Sequence, residues 1–296
     1  MKHLESFTLA SEDDEVGYLL GFGKGLGKLD MQCYSMTNVY PFKIFPQKGL
    51  ERLDFEPITV IYGGNGSGKS TILNLIAEKL CLERTAPFNN TPYIEEYLNF
   101  CDYRLSYGKN APVGSKIITS DGVFDSLLDI RAINQGVDRR REELFEEYER
   151  SREEAYLLHN LEDLENFKRR NEAKRRTKSD YVSRRLPKEL SGMSNGETAY
   201  YYFTQKIEEN ALYLLDEPEN SLSAVLQGKL QQYIEDSVRF YGCQFIIATH
   251  SPFLLSMKGA KVYDLDSVPV TVRNWTELEN VKIYHDFFKK HGNEFE

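Results

Sequence analysis

A glycine-rich turn between an apolar strand and a helix is the first stretch whose residues could do chemistry. Residues 58–62 form a β-branched apolar run, and an apolar pattern with helical spacing follows at 72–76. Between them the spacing is that of a phosphate-binding P-loop. Glycine is needed there because backbone N–H groups must wrap closely around phosphate oxygens. The residues predicted to bind a nucleoside triphosphate are Gly63, Gly64, Asn65, Gly66, Ser67, Gly68, Lys69, Ser70 and Thr71.

Two of these residues have further predicted roles, and a second strand supplies carboxylates. We expect Lys69 to contact the β- and γ-phosphates and Ser70 to be a hydroxyl ligand for Mg²⁺, at the positive end of the new helix. Residues 211–215 form an apolar strand that ends in Asp216 and Glu217. Adjacent carboxylates at the end of a buried strand are costly unless a cation or a reacting group uses them. We therefore expect Asp216 to hold Mg²⁺ and Glu217 to orient and polarise the attacking water.

A third apolar strand, residues 244–249, is followed directly by His250. In parallel sheets, ligands gather at the edge where the strands end. A histidine at such a strand end, beside a P-loop and an acidic pair, is favoured as a catalytic γ-phosphate contact over a purely structural role.

Another anion site is predicted where a helical pattern begins after a serine and a glycine. Its residues are Ser194, Asn195, Gly196 and Glu197, and the helix follows over 198–209. Hydroxyl, N–H groups and helix dipole converge on one charge at such a tip. Serine and asparagine are also favoured as ordinary N-caps. The prediction of an anion site therefore depends on the position of these residues beside the other motifs.

Composition excludes several classes of protein. The chain has 296 residues, 41% hydrophobic and 28% charged, which is ordinary for a globular protein. No apolar run approaches the roughly 20 residues of a membrane span, and the N-terminus lacks the apolar core of a signal peptide, so we expect a cytoplasmic protein without a membrane partner. The four cysteines include no C-x-x-C pair, which indicates neither a zinc site nor a disulfide framework. The net charge of -9 argues against nucleic-acid binding by the whole surface.

The segments between the motifs are less informative. Residues 21–28 are glycine-rich, but Leu29 stands where a P-loop needs Ser or Thr, so a turn between strands is expected. Residues 40–45 and 50–55 alternate like strands of a small antiparallel sheet, whose aromatics are more plausibly packed in the sheet than stacked on adenine. Residues 86–114 are expected to be irregular. A strand is predicted at 116–119 and a helix at 123–130.

Residues 137–186 contain neither glycine nor proline, which predicts a helical hairpin or arm. Residues 141–166 carry three basic and ten acidic side chains, whereas residues 167–188 carry ten basic and two acidic ones. The basic stretch 168–185 is either a track for nucleic-acid phosphates or the neutralising partner of the acidic stretch. The second alternative is slightly favoured.

Taken in this order, the P-loop, Ser-x-Gly-Glu, Asp-Glu-Pro-Glu-Asn and Ala-Thr-His-Ser-Pro resemble the ATP-binding cassette (ABC) ATPases. The resemblance is to their soluble branch, which contains the SMC and RecF-like ATPases and bacterial predicted AAA family ATPases, and it covers residues 58–256. Residues 262–266 and 275–279 resemble one small bacterial group of them. The implied fold is an α/β P-loop NTPase: one head over 1–296 with a mainly parallel central sheet, an N-terminal antiparallel β subdomain and an inserted helical arm at 137–188.

The resemblance also implies a homodimer that forms on ATP binding. Ser194, Gly196 and Glu197 of one copy would cap the γ-phosphate bound at Lys69 of the other. Ser223 stands where the family usually has an aspartate. No clear glutamine follows the strand at 116–119, so Asp121 or Gln135 would take its place, and Asp121 is a further candidate for Mg²⁺.

The function predicted from the sequence is therefore Mg-ATP hydrolysis that drives a dimerisation switch. A DNA- or RNA-linked process such as repair or antiviral (phage) defence is favoured. The alternative is a regulatory or scaffold ATPase that controls a protein effector, for example an associated nuclease. A transporter motor is less favoured, because the Asp-Glu-Pro-Glu-Asn form and the missing glutamine argue against it.

Overall fold

A computed structural model describes residues 1–20, 39–88, 90–153, 177–183 and 194–295. Its contacts divide the chain into two units. The first unit, the head, joins Met1–Phe124 to Asn195–Glu296, and the second covers Asp125–Ser194. The glycine-rich residues 21–28 lie outside the described residues, as does most of the basic stretch 168–185.

Strands of the described residues form two sheets, both in the head. Uninterrupted apolar runs such as Ile58–Tyr62 are buried along their whole length, which is typical of central strands covered on both faces. The strands are β1 (Leu4–Thr8), β2 (Arg52–Asp54), β3 (Ile58–Tyr62), β4 (Glu83–Arg84), β5 (Asp102–Leu105), β6 (Lys116–Thr119), β7 (Leu212–Asp216), β8 (Gln244–Ala248), β9 (Lys261–Asp264) and β10 (Thr271–Arg273).

Helices cover the sheets and also form the described part of the second unit. They are α1 (Glu12–Leu19), α2 (Lys69–Lys79), α3 (Tyr93–Leu98), α4 (Ser120–Glu153), α5 (Lys178–Ser183), α6 (Asn195–Lys206), α7 (Ala224–Phe240), α8 (Pro252–Leu255) and α9 (Glu279–Lys290). Short 3₁₀ turns lie at Pro46–Lys48, Pro218–Ser221, Trp275–Glu277 and Gly292–Glu294.

The central sheet has seven strands in the order β10-β9-β3-β8-β7-β6-β4. All neighbouring pairs are parallel except β9 and β10. The register brings the strand ends together, because Asp216 lies opposite Thr119 on one side and Ala248 on the other. Ala248 is in turn paired with Ile61 of β3. The predicted α/β fold with a mainly parallel central sheet is therefore confirmed, and β3, β6, β7 and β8 end at one edge.

The N-terminal side has the predicted antiparallel sheet, with three strands in the order β2-β1-β5. The prediction of a strand at 40–45 is wrong. This segment is a turn in which Lys43 has a φ of 69°, and the Lys43 N–H donates to the Glu15 Oε2 at 2.6 Å. Phe42 stacks on Tyr18 with ring centroids 4.8 Å apart, and Phe45 is fully buried. The aromatic spacing thus reflects core packing of a turn.

Two further boundaries differ from expectation. Residues 86–114 are not irregular throughout, because they contain α3 and β5, and β5 pairs with the distant strand β1. The predicted helix start at Val123 is also wrong: α4 begins at Ser120 and continues to Glu153. The Gly122 N–H donates to Thr119 Oγ1 at 3.3 Å, and a Cβ at Gly122 would lie 2.7 Å from Thr85 Oγ1. Gly122 therefore allows close packing and does not break the helix.

The second unit has its own small contact between α4 and α5. Leu144 and Tyr148 of α4 are buried together with Tyr181 and Val182 of α5. Lys178 Nζ lies 2.5 Å from Glu149 Oε1, so one lysine of the basic stretch is paired with a carboxylate of the acidic stretch. This pairing agrees with the predicted hairpin at one point, while the arm boundaries 137–188 stay a prediction.

Candidate functional site

The P-loop lies between the end of β3 and the start of α2. Gly66 and Gly68 have φ values of 79° and 101°, in the region that favours glycine. A Cβ at Gly68 would lie 3.2 Å from both Ile44 Cγ2 and Phe45 Cε1. The loop therefore adopts its turn only with glycine at these positions, as the sequence pattern requires.

An open cavity of about 370 Å³ lies over this loop. The Ser67 hydroxyl is buried at the loop and has no hydrogen-bond partner among the described residues, so it is available to an oxygen-rich ligand. Tyr40 lies at the cavity and donates from its hydroxyl to Thr71 Oγ1 at 3.0 Å, whereas adenine stacking by an aromatic stays a prediction. The cavity is lined by Tyr40, Ile44, Asn65, Gly66, Ser67, Gly68, Lys69, Ser70, Thr71 and Glu217.

Lys69 is the buried cation of the site, with only 4% of its side chain exposed. Its Nζ donates to the carbonyl oxygens of Gly63 at 2.8 Å and Gly64 at 3.2 Å. The same Nζ lies 3.3 Å from Glu217 Oε1. Lys69 is thus held by acceptors of this chain at the position where the sequence predicts phosphate oxygens.

Ser70 and Asp216 meet across the ends of α2 and β7. Ser70 Oγ donates to Asp216 Oδ1 at 3.0 Å. Burial raises the pKa of Asp216 to about 6; the Ser70 hydrogen bond acts against this, and the Glu217 and Asp121 charges add to it. A buried carboxyl beside a hydroxyl is a donor set that suits Mg²⁺, since a cation favours the ionised form. The described residues contain no group of three or more His, Cys, Asp or Glu side chains that could hold a metal.

Glu217 follows Asp216 in a strained backbone conformation. Its φ of 46° is uncommon for a residue with a side chain, and its N–H donates to the Ala248 carbonyl at 2.9 Å. The Asn220 side-chain amide donates to Glu217 Oε2 at 2.9 Å. Burial raises the pKa of Glu217, but the Asn220 hydrogen bond and the Lys69 charge outweigh it and hold the pKa below its usual range. Glu217 is therefore kept as a carboxylate aimed at the P-loop.

His250 lies immediately beyond β8. Its ring is 42% exposed, and its Nδ1 lies 3.6 Å from Glu219 Oε1. The His250 N–H donates to the same carboxylate oxygen at 2.9 Å, and its carbonyl accepts from the Asn280 side chain at 3.2 Å. The backbone of His250 is thus fixed on both sides while its ring stays accessible.

A comparison with protein families identifies the chain. Residues 109–256, half of its length, match the family described as "AAA domain, putative AbiEii toxin, Type IV TA system". The chain belongs to this AAA domain family. The match confirms the predicted resemblance to bacterial AAA family ATPases and, with the P-loop and the sheet, makes it an ATPase-type P-loop protein. No curated protein matches the chain.

Solved structures similar to this AAA domain are distant in sequence. The SMC head domain from Thermotoga maritima is 14% identical, with a TM-score of 0.40, over 92% of this chain and 98% of that chain. The Smc head domain from Pyrococcus furiosus, bound to the C-terminal domain of ScpA, is 14% identical with a TM-score of 0.44, over 97% and 100%. A dimeric bacterial ABC transporter cassette is 14% identical with a TM-score of 0.35, over 77% and 91%.

Glu219 of the AAA domain belongs to the site, a role that was not predicted from the sequence. It is 7% exposed and accepts from Thr249 Oγ1 at 2.6 Å as well as from the His250 N–H. Its other oxygen, Oε2, has no hydrogen-bond partner among the described residues. The Asp-Glu-Pro-Glu-Asn run contained the signal, since a second buried carboxylate also needs a partner.

Asp121 and the predicted residues 194–197 are not among the residues that line the cavity, and neither are Asp216 and His250. Asn195, Gly196 and Glu197 form the first turn of α6, and a Cβ at Gly196 would lie 3.0 Å from Leu226 Cδ1. Ser194 is the last residue of the second unit. Asp121 lies in the first turn of α4 and its charge reaches Asp216, whereas the Gln135 side chain lies outside the described part. The structure therefore brings together the P-loop, Asp216, Glu217 and His250.

In the described ranges, every helix is too short or too polar to span a membrane.

Proposed function

We propose that this AAA domain binds and hydrolyses Mg-ATP and that it uses the nucleotide as a dimerisation switch. The observation that carries the proposal is the convergence on one cavity edge of a buried lysine, a hydroxyl–carboxyl pair and a carboxylate held ionised. Lys69 and Glu217 are 3.3 Å apart, and Ser70 is 3.0 Å from Asp216. Phosphoryl transfer to water needs mainly positioning and charge stabilisation, which these groups supply.

The residues fit the nucleotide and its metal. The P-loop amides and Lys69 would hold the phosphates, while Ser70 and Asp216 would hold Mg²⁺, with Asp121 close enough to contribute charge. When bound, Mg²⁺ neutralises charge on the β- and γ-phosphate oxygens. Tyr40 and Ile44 form the wall of the cavity next to the loop.

Glu217 has two roles in this proposal. In the structure it neutralises Lys69. Phosphate oxygens at Lys69 compete for that cation, because a triphosphate carries more negative charge than one carboxylate. Glu217 is then free to accept a hydrogen bond from the attacking water, and Asn220 keeps its second oxygen in place. His250, held through its backbone, would contact the γ-phosphate.

The dimerisation step rests on the first turn of α6. Asn195, Gly196 and Glu197 begin a 12-residue helix outside the cavity lining of their own chain. The N-terminus of a helix favours anions through its backbone N–H groups and the positive end of the helix dipole. We propose that this tip, with Ser194, caps the γ-phosphate held at Lys69 of a second copy.

The experiment that tests the enzymatic proposal is phosphate release by Glu217→Gln. We expect ATP binding within about threefold of wild type and turnover lowered by about a hundredfold or more, since water activation is lost while Asn220 can still contact the side chain. Glu209→Gln, on the exposed end after α6, is the matched control and should turn over normally. Unchanged turnover in Glu217→Gln would remove Glu217 from the reaction.

For the biological process we propose a DNA- or RNA-linked role such as repair or phage defence. The family description, with its toxin and type IV system, supports a defence context. Nucleic-acid binding would use the basic stretch 168–185, although Lys178 within it is paired with Glu149. Binding of DNA or RNA with a non-hydrolysable ATP analogue should weaken steeply with salt. A failure to bind at low salt would rule out this role.

A specific observation favours the second candidate, control of a protein effector. Helix α9 exposes Ile283, Phe287 and Phe288, each by more than half. No ion pair involves Lys289 or Lys290 among the described residues, so the patch suits an acidic, apolar segment of a protein. A stoichiometric complex with a co-expressed effector that Phe287→Ser plus Phe288→Ser abolishes, with ATP binding kept, would support this candidate. A complex unaffected by that double variant would reject this patch as the binding surface.

A further inference from the structure

The segment from Asp264 to Asn280 overlaps the stretches 262–266 and 275–279, which the proposed ATPase chemistry does not use. It begins at the end of β9 and includes β10, the 3₁₀ turn Trp275–Glu277 and the first turn of α9. β9 is the parallel neighbour of β3, the strand that leads into the P-loop. Residues just beyond β9 therefore lie beside the beginning of the loop.

Asp266 contacts the P-loop directly. Its carboxylate oxygens lie 2.8 and 3.1 Å from the Gly64 backbone N. The Asp266 N–H is in turn bonded to Asp264 Oδ1 at 3.0 Å, and Asp264 is only 5% exposed. The Asp264 Oδ2 lies 3.4 Å from Arg273 Nε. The loop amide is thus linked through two carboxylates to a strand of the central sheet.

The same segment contacts the other end of the site through Asn280. The Asn280 side-chain amide donates to the His250 carbonyl at 3.2 Å. Its backbone N–H donates to the Tyr62 hydroxyl at 3.3 Å, and Tyr62 is the last residue of β3. One segment therefore touches the start of the P-loop, the end of its strand and the histidine loop.

We propose that the Asp264–Asn280 segment is a brace for the nucleotide site, in which Asp266 and Asn280 are positioning residues. Asp266 fixes the first turn of the P-loop so that the following N–H groups face the phosphates. Asn280 fixes the backbone of His250 and with it the direction of the ring. The inference rests on the proposed ATPase function and names residues that act on it without touching the reacting atoms.

Because Asp266 is negatively charged, an experiment can separate its positioning role from the effect of its charge on nucleotide binding. A carboxylate beside a phosphate-binding loop repels a triphosphate. If only its charge mattered, removing the carboxylate would strengthen nucleotide binding. As a brace, however, it supplies a hydrogen-bond acceptor that asparagine can replace and alanine cannot. Asp266→Ala should therefore weaken nucleotide binding although it removes a negative charge, whereas Asp266→Asn should keep or strengthen it.

The experiment measures the Kd of Mg-ATP and the turnover of four variants beside wild type. We expect Asp266→Ala to raise Kd roughly tenfold, in line with loss of the hydrogen bond from the Gly64 N–H, and Asp266→Asn to restore wild-type affinity or better. Asn280→Ala should keep Kd within about twofold and lower kcat about three- to tenfold, because only His250 is affected. Exposed Asp13→Ala, the control for the aspartate change, should match wild type.

The outcomes separate this proposal from the ATPase proposal. If wild type binds Mg-ATP and Asp266→Ala binds equally well, the brace is refuted while the ATPase function stands. If Asp266→Asn is as weak as Asp266→Ala, the charge and not the acceptor matters, which also refutes it. A wild-type chain that binds no Mg-ATP would instead overturn the proposed function. Equal melting temperatures of Asp266→Ala and Asp266→Asn would show that a difference in their affinities does not come from a loss of stability.

Discussion

The edge of the central sheet and the second unit differ in what holds their side chains in place. At the sheet edge, Lys69 at the start of α2 and Glu217 just after β7 each have at least two polar partners, and Asp216 at the end of β7 accepts a hydrogen bond from Ser70. In the second unit, Tyr148 and Tyr181 meet in one small apolar cluster, with a lysine–glutamate pair beside it. Polar groups with several partners tolerate few other residues, whereas a small apolar cluster accepts many. The sequence therefore restricts residue types at the sheet edge, where function can be recognised from it, but not in the second unit.

Lys69→Ala should have the largest effect on nucleotide binding at the sheet edge. We expect the affinity for Mg-ATP to fall by at least a hundredfold, because the buried cation that faces the phosphates is lost. Glu217 would also lose its neutralising partner. Isothermal titration calorimetry measures the change, and Lys109→Ala, in an exposed turn, is the control. Tight binding by Lys69→Ala would show that the loop does not use this lysine.

Glu219→Gln tests the support of His250. The amide oxygen can still accept from the His250 N–H, but the charge beside the ring is removed, so turnover should fall roughly tenfold with ATP affinity kept. Single-turnover phosphate release separates the two quantities. Equal loss of affinity and turnover would mean that Glu219 supports the fold of the edge instead of the histidine.

Tyr181→Ala tests the α4–α5 contact of the second unit. Removing this fully buried ring from a small cluster should destabilise the α4–α5 contact by roughly 2 kcal/mol or more. Cleavage by a protease within residues 125–194 should then become faster, while Mg-ATP affinity stays within about twofold of wild type. A large loss of affinity would show that the α4–α5 contact and the nucleotide site are coupled and would contradict their independence.

Much of the edge was predictable because phosphate and magnesium chemistry restricts residue types at fixed spacing. The P-loop glycines, the Asp216-Glu217 pair and His250 were all placed by that logic, and the register of β3, β7 and β8 brings their strand ends together. What the sequence could not show were contacts made by tertiary packing. Glu219, Asp266 and Asn280 reach their partners across 30 to 218 positions of chain, and no local pattern specifies such pairs.

The wrong predictions have the same origin. Residues 40–45 alternate like a strand, yet they form a turn in which Phe42 stacks on Tyr18 of α1. β5 was missed because its pairing with β1 is a long-range contact. In the arm, charge counts predicted a neutralising contact, and the Lys178–Glu149 pair is one example of it. The remainder of the basic stretch 168–185 lies outside the described residues.

The smallest expected effect concerns Glu15 in the N-terminal layer. Burial raises its pKa to about 7 from an ordinary 4.5. The folded chain therefore holds a proton that the unfolded chain releases between these values, so this contribution to stability is full below pH 4.5 and is lost as pH rises through 7. Thermal unfolding from pH 5 to 8 should show a shallower pH dependence for Glu15→Gln than for wild type. Exposed Asp13→Asn is the control, and identical slopes for Glu15→Gln and wild type would contradict the assignment.

We propose that two copies of the chain enclose the same nucleotide, and the mass of Glu217→Gln in solution tests this proposal most directly. Light scattering with saturating Mg-ATP should give twice the 34.3 kDa of one chain, and adding Ser194→Arg should return the mass to one chain with ATP still bound. Without nucleotide the mass of Glu217→Gln should be that of one chain. A mass that does not change when ATP saturates Lys69 would contradict the shared site.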